Sequence, residues 1–249
     1  MSGIQSAAEA LIDARRERSR VDTAALDAAP QTREDCYAVQ QAVADAIAPA
    51  AAFKTARKAP GDVPIMAPIL FGTVRDSGST FSRDEFSVIG VELEIGFRID
   101  RPLPDPAGTD FALRARECIS LVPAIEVVDT RLADPEAAGP MWRLADNQNN
   151  GGLVCGTPVA DWQHLDLDAA GIDLTIGGVR EYSGAHPSPG GNAFDVFCAF
   201  AAIVGGHCGG LQPGQTVITG SLMGCHYIEP GRNVRGVIDG LGVVELGFP

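Results

Sequence analysis

The segment Gly90-Val91-Glu92-Leu93-Glu94-Ile95-Gly96-Phe97 decides how this chain is read. Successive residues of a strand point to opposite faces. Val91, Leu93 and Ile95 therefore share an apolar face, and Glu92 and Glu94 share the other. Two like charges about 7 Å apart on an apolar strand are costly unless something positive lies between them. A divalent cation meets that need; a solvent-facing strand removes it, and the pattern alone leaves both readings open. A third acid, Glu126, lies in Val122-Pro123-Ala124-Ile125-Glu126-Val127-Val128-Asp129, a run that reads as buried on both faces. Together the three carboxylates make a hard, oxygen-only donor set suited to Mg²⁺ or Mn²⁺.

Outward from this strand, the chain reads as helices first and short strands afterwards. Helical spacing of apolar residues runs over 4–27 and again over 33–48, where Thr32 and Asp35 form a near capping box. Strands are expected at 69–74, 88–99, 121–128, 151–154 and 216–221, with hairpins at 173–182 and 233–248. Residues 57–68, RKAPGDVPIMAP, read as a loop, 109–119 as a short helix, and 135–150 as irregular or helical. Asn192 is placed to cap a helix reaching about Gly205. This order predicts an α+β fold, mostly β, around a rolled sheet rather than a βαβ succession. Residues 1–50 are expected to form a helical segment packed on a mixed-β catalytic domain over 51–249. No G-x-G-x-x-G after a strand, no P-loop and no G-x-S-x-G elbow is present.

Composition narrows the partners. The 249 residues are 45% hydrophobic, enough for a sizeable core, and carry a net charge of −13. Nucleic-acid binding needs a basic stripe. Arg15, Arg16, Arg18 and Arg20, diluted by Asp13 and Glu17, read instead as a solvated helix face. No unbroken apolar run of membrane-spanning length occurs, and the N-terminus lacks a secretory h-region. Six scattered cysteines without a C-x-x-C pair suggest reduced, mostly buried thiols in the cytoplasm. His207-Cys208 and Cys225-His226 read as core filling, because adjacent residues rarely reach one ion.

Three further features offer chemistry. Lys54 ends an apolar run alone; such a lysine can have a lowered pKa, bind a carboxylate, or snorkel at the surface. Leu144-Ala145-Asp146-Asn147-Gln148-Asn149-Asn150-Gly151-Gly152 either orients a substrate or water, or is an Asx-rich turn. Thr219-Gly220-Ser221 ends a strand in two hydroxyls around a glycine, which permits close approach of a ligand to the backbone. Arg131 either pairs with a substrate acid or braces Asp129, and the bracing role is favoured.

Taken in order, CYAVQ at 36–40, AFK at 52–54, GVELEIGF at 90–97, PAIEVVDTR at 123–131, LADNQNNGGLVCG at 144–156 and LQPGQTVITGSLMG at 211–224 resemble one family. The set is similar to the fumarylacetoacetate hydrolase-like superfamily, in its 2-keto-4-pentenoate hydratase and 4-oxalocrotonate decarboxylase branch. The likeness covers about residue 33 to the end. It implies a carboxylate-held Mg²⁺ or Mn²⁺ on Glu92, Glu94 and Glu126, with Lys54 beside the substrate. Asp146 and Asn147 match the family's A-D-N element. Lys54, Asp146 and Asn149 are the expected catalytic residues, and Lys54, Asn147, Thr219, Gly220 and Ser221 the expected substrate contacts. Where branch members often carry Ser after A-D-N-A, this chain has Gln148-Asn149-Asn150, and PIMAPIL at 64–70 lacks their loop acid.

The implied reaction is hydration of a 2-hydroxy-2,4-dienoate to a 4-hydroxy-2-oxo acid in aromatic catabolism. Decarboxylation of a 2-oxo acid, C–C hydrolysis of a diketo acid, and a non-catalytic partner subunit are the alternatives. A homo-oligomer is expected, with a hetero-partner of the same pathway as a further possibility. A bound cation would also explain how a chain of charge −13 holds an anionic substrate.

Overall fold

Thr32 opens the second helix as its sequence requires. Its side chain accepts from Asp35 N while Asp35 accepts from the Thr32 backbone, so two otherwise unpaired N–H groups are satisfied. The computed structural model describes residues 3–26 and 29–249. Helix α1 spans Gly3–Glu17 and α2 spans Arg33–Ile47. The expected run to residue 27 is corrected: α1 ends at Glu17 because Arg18 turns left-handed (φ 54°), and residue 27 itself lies outside the described residues.

The next elements are β1 (Ala50–Ala56), β2 (Ile65–Leu70), β3 (Val74–Asp76), β4 (Ser79–Thr80) and β5 (Gly90–Ile99). They are followed by α3 (Phe111–Ala115), β6 (Ile119–Val128), α4 (Pro135–Ala145) and β7 (Asn150–Cys155). The chain finishes with β8 (Ala169–Ile176), β9 (Val179–Pro187), α5 (Ala193–Val204), β10 (Thr216–Ser221), β11 (His226–Tyr227), β12 (Asn233–Ile238) and β13 (Gly242–Gly247). Strand β2 falls largely inside the expected loop. Its Pro68 is tolerated because β2 is an edge strand, where a missing N–H costs no ladder bond.

Two sheets result. The larger runs β2-β1-β10-β5-β6-β7-β3, with β11 also paired to β5; the smaller runs β4-β13-β12-β8-β9. Strand β1 is antiparallel to β2 but parallel to β10, which is antiparallel to β5. The fold is α+β and mostly β.

The alternation in β5 is realised as two environments. Val91, Leu93 and Ile95 are buried in the core, and Leu93 packs so closely on Gly236 of the smaller sheet that a Cβ there would stand 2.5 Å from Leu93 Cδ1. Phe97 stacks on Phe197 of α5 at 5.1 Å, and Phe53 of β1 meets Phe200 of α5 at 5.6 Å. Ala7 and Leu11 of α1 and Cys36 and Val39 of α2 join the same apolar core. The acid-bearing side of β5 is thus left for the site. All six cysteines are unpaired. No helix among the described residues is long and apolar enough to cross a membrane.

Candidate active site

Strand pairing brings the acids together. The β5–β6 register sets Glu92 directly opposite Glu126, an arrangement that repels. Glu94 joins from the same face, and one carboxylate oxygen from each of the three lies within 4.8 Å of the others. Among the described residues this is the one cluster of three or more such potential metal ligands. Glu94 is 1% exposed and Glu126 0%, so solvent does not relieve the repulsion.

The titration of the acids records that strain. Burial pushes Glu92 up to about 7, and the charge of Glu126 pushes the same way against the opposing pull of Lys54. Glu94 is raised well above the usual carboxylate range, by burial first and then by Glu126 and Glu92. Without metal, the pair holds protons that free carboxylates release below neutrality; a divalent cation displaces such protons when it binds.

Neighbouring groups aim the carboxylates. Lys54 Nζ donates to Glu126 Oε1 at 2.6 Å and to the Gln148 carbonyl at 3.2 Å. Asn150 Nδ2 donates to the same Glu126 Oε1 at 2.7 Å. Glu126 Oε2 is buried with no hydrogen-bond partner. One oxygen is therefore doubly bonded to donors, and the other is left bare beside two more acids. This orphaned oxygen and the all-carboxylate donor set fit a hard divalent cation.

Glu94 is held from a different strand. Its Oε2 accepts from Gly220 N at 2.6 Å. The β10–β5 register shifts between Ile218 and Ser221, and this irregularity brings the Gly220 N–H onto Glu94. Gly220 has φ 112°, and a Cβ there would meet Pro189 Cγ at 2.8 Å, so the position requires glycine.

Lys54 is 9% exposed. Burial pulls its ammonium toward neutrality, but Glu126, Glu92 and Glu94 together outweigh it, and the net shift is upward. A lowered pKa, one of the options burial alone suggests, is thereby corrected: Lys54 is held as a charged proton donor.

A cavity of about 370 Å³ opens over the acids, and Lys54, Asn149, Gly220 and Ser221 line it as expected. Thr219 and Asn147 do not. Thr219 Oγ1 donates to the Ile95 carbonyl at 3.4 Å, and the Asn147 side chain is buried. Asp146, expected to be catalytic, stands outside the lining. Its Oδ1 accepts from Arg131 Nε at 2.6 Å and Arg15 Nη2 at 3.3 Å; its Oδ2 accepts from Arg131 N at 2.9 Å and Thr130 Oγ1 at 3.3 Å. The carboxylate is fully engaged in fastening α1 and the segment after β6 to the end of α4. Arg131 lies 3.7 Å from Asp129 as well, in keeping with a bracing role. Arg15 is half-buried and tied into this network, which corrects its reading as part of a solvated face.

The polar cluster after α4 is a strained turn. Asn147, Gln148 and Asn149 all have positive φ, at 50°, 52° and 57°. Left-handed backbone at non-glycine residues costs on the order of 1 kcal/mol each, and it persists where surrounding structure enforces it. The turn delivers the Gln148 carbonyl to Lys54, and Asn150, at the start of β7, to Glu126. Sequence reasoning singled out the cluster that holds Gln148 and Asn150 without assigning either a contact; it missed Tyr227, and Cys225, read as core filling, lines the cavity instead. Burial, and then Glu92, push the Cys225 thiol up to about 12.

No family model matches the chain. It is 27% identical over 164 residues to the 2-hydroxyhexa-2,4-dienoate hydratase of Comamonas testosteroni, a match covering 63% of this chain and 59% of that protein. It is 29% identical over 207 residues to the 2-oxo-hept-4-ene-1,7-dioate hydratase of Escherichia coli, covering 74% and 76%. Thus the chain spans 59% of the length of the first relative and 76% of the second. The solved 4-oxalocrotonate decarboxylase from Pseudomonas putida G7, complexed with magnesium and adipate, matches with a TM-score of 0.83 at 19% identity. That match covers 99% of this chain and 97% of the other. A structure from Yersinia pestis CO92, described as a fumarylacetoacetate hydrolase family protein, matches with a TM-score of 0.58 at 16% identity, over 80% of this chain and 92% of that one.

The chain has the fumarylacetoacetate hydrolase-like fold.

The proteins it is similar to include two hydratases and a decarboxylase. Within this fumarylacetoacetate hydrolase-like fold the acids come from two adjacent antiparallel strands, and the lysine comes from β1, two strands away from β5 across β10.

Proposed function

We propose that the protein is a divalent-metal-dependent hydro-lyase that hydrates a 2-hydroxy-2,4-dienoate to a 4-hydroxy-2-oxo acid. The single observation that carries this reading is the triad of half-buried Glu92 with buried Glu94 and Glu126, with Lys54 bonded to one of its members. The sequence similarity to two hydratases supports it. Glu92, Glu94 and Glu126 would hold Mg²⁺ or Mn²⁺. When bound, the ion supplies Lewis-acid stabilisation of negative charge on the 2-oxygen of a chelated 2-oxo acid.

The chain's own residues supply the rest. Asn150 and Lys54 hold Glu126 in one orientation, and Gly220 N–H does the same for Glu94. Lys54 Nζ is the ammonium at the cavity floor and is the group that moves a proton during hydration. Asn149 occupies the place where branch members often carry Ser and presents an amide to the same space. The unpaired thiols support a reducing compartment, and a cytoplasmic homo-oligomer belongs to the same proposal.

The test is the ultraviolet absorbance of a 2-hydroxy-2,4-dienoate mixed with Mg²⁺-loaded protein. Loss of absorbance with one hydroxylated product and no CO₂ is the expected result. Unchanged absorbance overturns the reading. With a 2-oxo-enedioate as substrate, release of CO₂ identifies a decarboxylase; with a 1,3-diketo acid, two carbon products identify a C–C hydrolase. Absence of both turnover and metal binding, with a stable second protein co-purifying, identifies a partner subunit.

A further inference from the structure

The cavity over the triad has a charged floor and an uncharged wall. Lys54 is the one cation among the described residues that line it, and its ammonium is already held by Glu126 and the Gln148 carbonyl. Val128, Pro189 and Tyr227 give the wall apolar and aromatic surface, while Gln148, Asn149 and Ser221 are polar and neutral. Gln148 Nε2 and Asn149 Oδ1 are buried with no hydrogen-bond partner. Buried amide atoms of this kind are costly unless a water or a ligand group completes them.

A 2-oxo acid whose carboxylate and 2-oxygen sit at the floor turns its far end toward this wall. A methyl or alkyl end lies against Val128 and Pro189 at no electrostatic cost. A hydroxyl or carbonyl can be met by the two amides. A second carboxylate is a different case. It would leave water for a surface whose described lining residues offer no cation besides the engaged Lys54, near Glu92 and Glu94, in a chain whose net charge is −13.

We infer that the site takes 2-oxo acids with one carboxylate and an uncharged far end, and that it discriminates against dicarboxylates. The inference rests on the 2-oxo acid reading above. It separates two chemistries that the names of the relatives leave side by side, a hexadienoate and a 1,7-dioate.

The experiment is calorimetry on the full-length, Mg²⁺-loaded protein with 2-oxohexanoate and 2-oxohexanedioate. These probes share the 2-oxo acid head and the chain length and differ only in the terminal group. Oxalate, which has no far end, is the control for the floor. The expected result is tighter binding of 2-oxohexanoate by at least roughly tenfold. Equal or tighter binding of the dioate overturns the inference and leaves the 2-oxo acid reading intact. Binding of oxalate with neither longer probe also overturns it, because the wall then excludes any chain. Failure of oxalate to bind overturns the reading beneath it.

A gain-of-function variant gives a second test. Val128 follows Glu126 by two residues on the same face of β6 and lines the wall. Val128→Lys adds the missing cation, and the dioate is expected to gain on the monoacid by roughly tenfold or more. An unchanged preference in folded Val128→Lys overturns the inference. If that variant does not fold, the pair of probes on the wild-type protein still decides.

Discussion

Asn150 Nδ2 stands 2.7 Å from Glu126 Oε1, on the oxygen that Lys54 also holds, and leaves Oε2 of the same carboxylate without a partner. An amide N–H has thereby fixed which edge of a buried acid faces its two neighbours. Outer groups that orient metal-binding carboxylates commonly matter about 10–100-fold in metal affinity.

Asn150→Asp replaces that donor with a second acceptor against Glu126. Mn²⁺ affinity measured by calorimetry is expected to fall about 10–100-fold. Affinity equal to wild type would show that the contact does not orient the acid.

Lys54→Met removes the proton-moving ammonium and leaves the three carboxylates. With Mg²⁺ at saturation, kcat is expected to fall by about 10²–10⁴-fold while metal binding persists. Retained kcat would assign the proton transfer to another group.

The acids give the metal-free protein a characteristic pH response. Glu92 moves from 4.5 to about 7 on folding, and Glu94 is also raised. The folded state therefore binds protons more tightly than the unfolded chain. The stability this confers is full below the unfolded pKa and is lost as pH rises through the folded one. Between about pH 5 and pH 8 the Tm of metal-free wild type is expected to fall further than that of Glu92→Gln/Glu94→Gln. Mg²⁺ should raise Tm more at the higher pH, where fewer protons compete. Parallel curves for the two proteins would remove the triad as the cause.

Asp146→Asn separates bracing from catalysis. It weakens a buried pair with Arg131, and such breaks cost about 3–5 kcal/mol. The urea midpoint is expected to drop, with metal affinity of the folded fraction unchanged. A variant of normal stability that loses turnover would return Asp146 to a catalytic role.

Gly220→Ala forces a Cβ onto Pro189 at a φ of 112°. Strained backbone of this kind costs on the order of 1–3 kcal/mol. Urea unfolding should show that loss, together with weaker Mn²⁺ binding as the Gly220 N–H leaves Glu94. Unaltered metal affinity would mean that Glu94 needs no help from β10.

The acid triad was legible because period-two alternation in an apolar strand exposes a misplaced charge at once. Glu92, Glu94 and Glu126 break patterns that otherwise read as core. Lys54 was legible as an anomaly, but its partner Glu126 is distant in sequence, and its protonation depends on that partner. Asn150 was not distinguishable within Asn147-Gln148-Asn149-Asn150, where four neutral amides in a row carry no local mark of which one reaches the acid. Arg15 looked solvated because it sits among other arginines, and only the folded chain brings Asp146 to it. Strand β2 was hidden by Pro68, which an edge position accommodates. Arg18 gave no signal that it would end α1, since left-handed arginine is not a preferred stop.

The parallel seam between β1 and β10 makes the charge balance of the centre a long-range property of the chain. Glu92, Glu94 and Glu126 sit on β5 and β6, which pair directly and lie close in the chain. Lys54 lies on β1, which the sheet joins to β5 through β10, and it is also tied to the turn before β7 by the Gln148 carbonyl. Strand β10 also brings the Gly220 N–H to Glu94, so one strand links the lysine-bearing strand to the acids and fixes one of them.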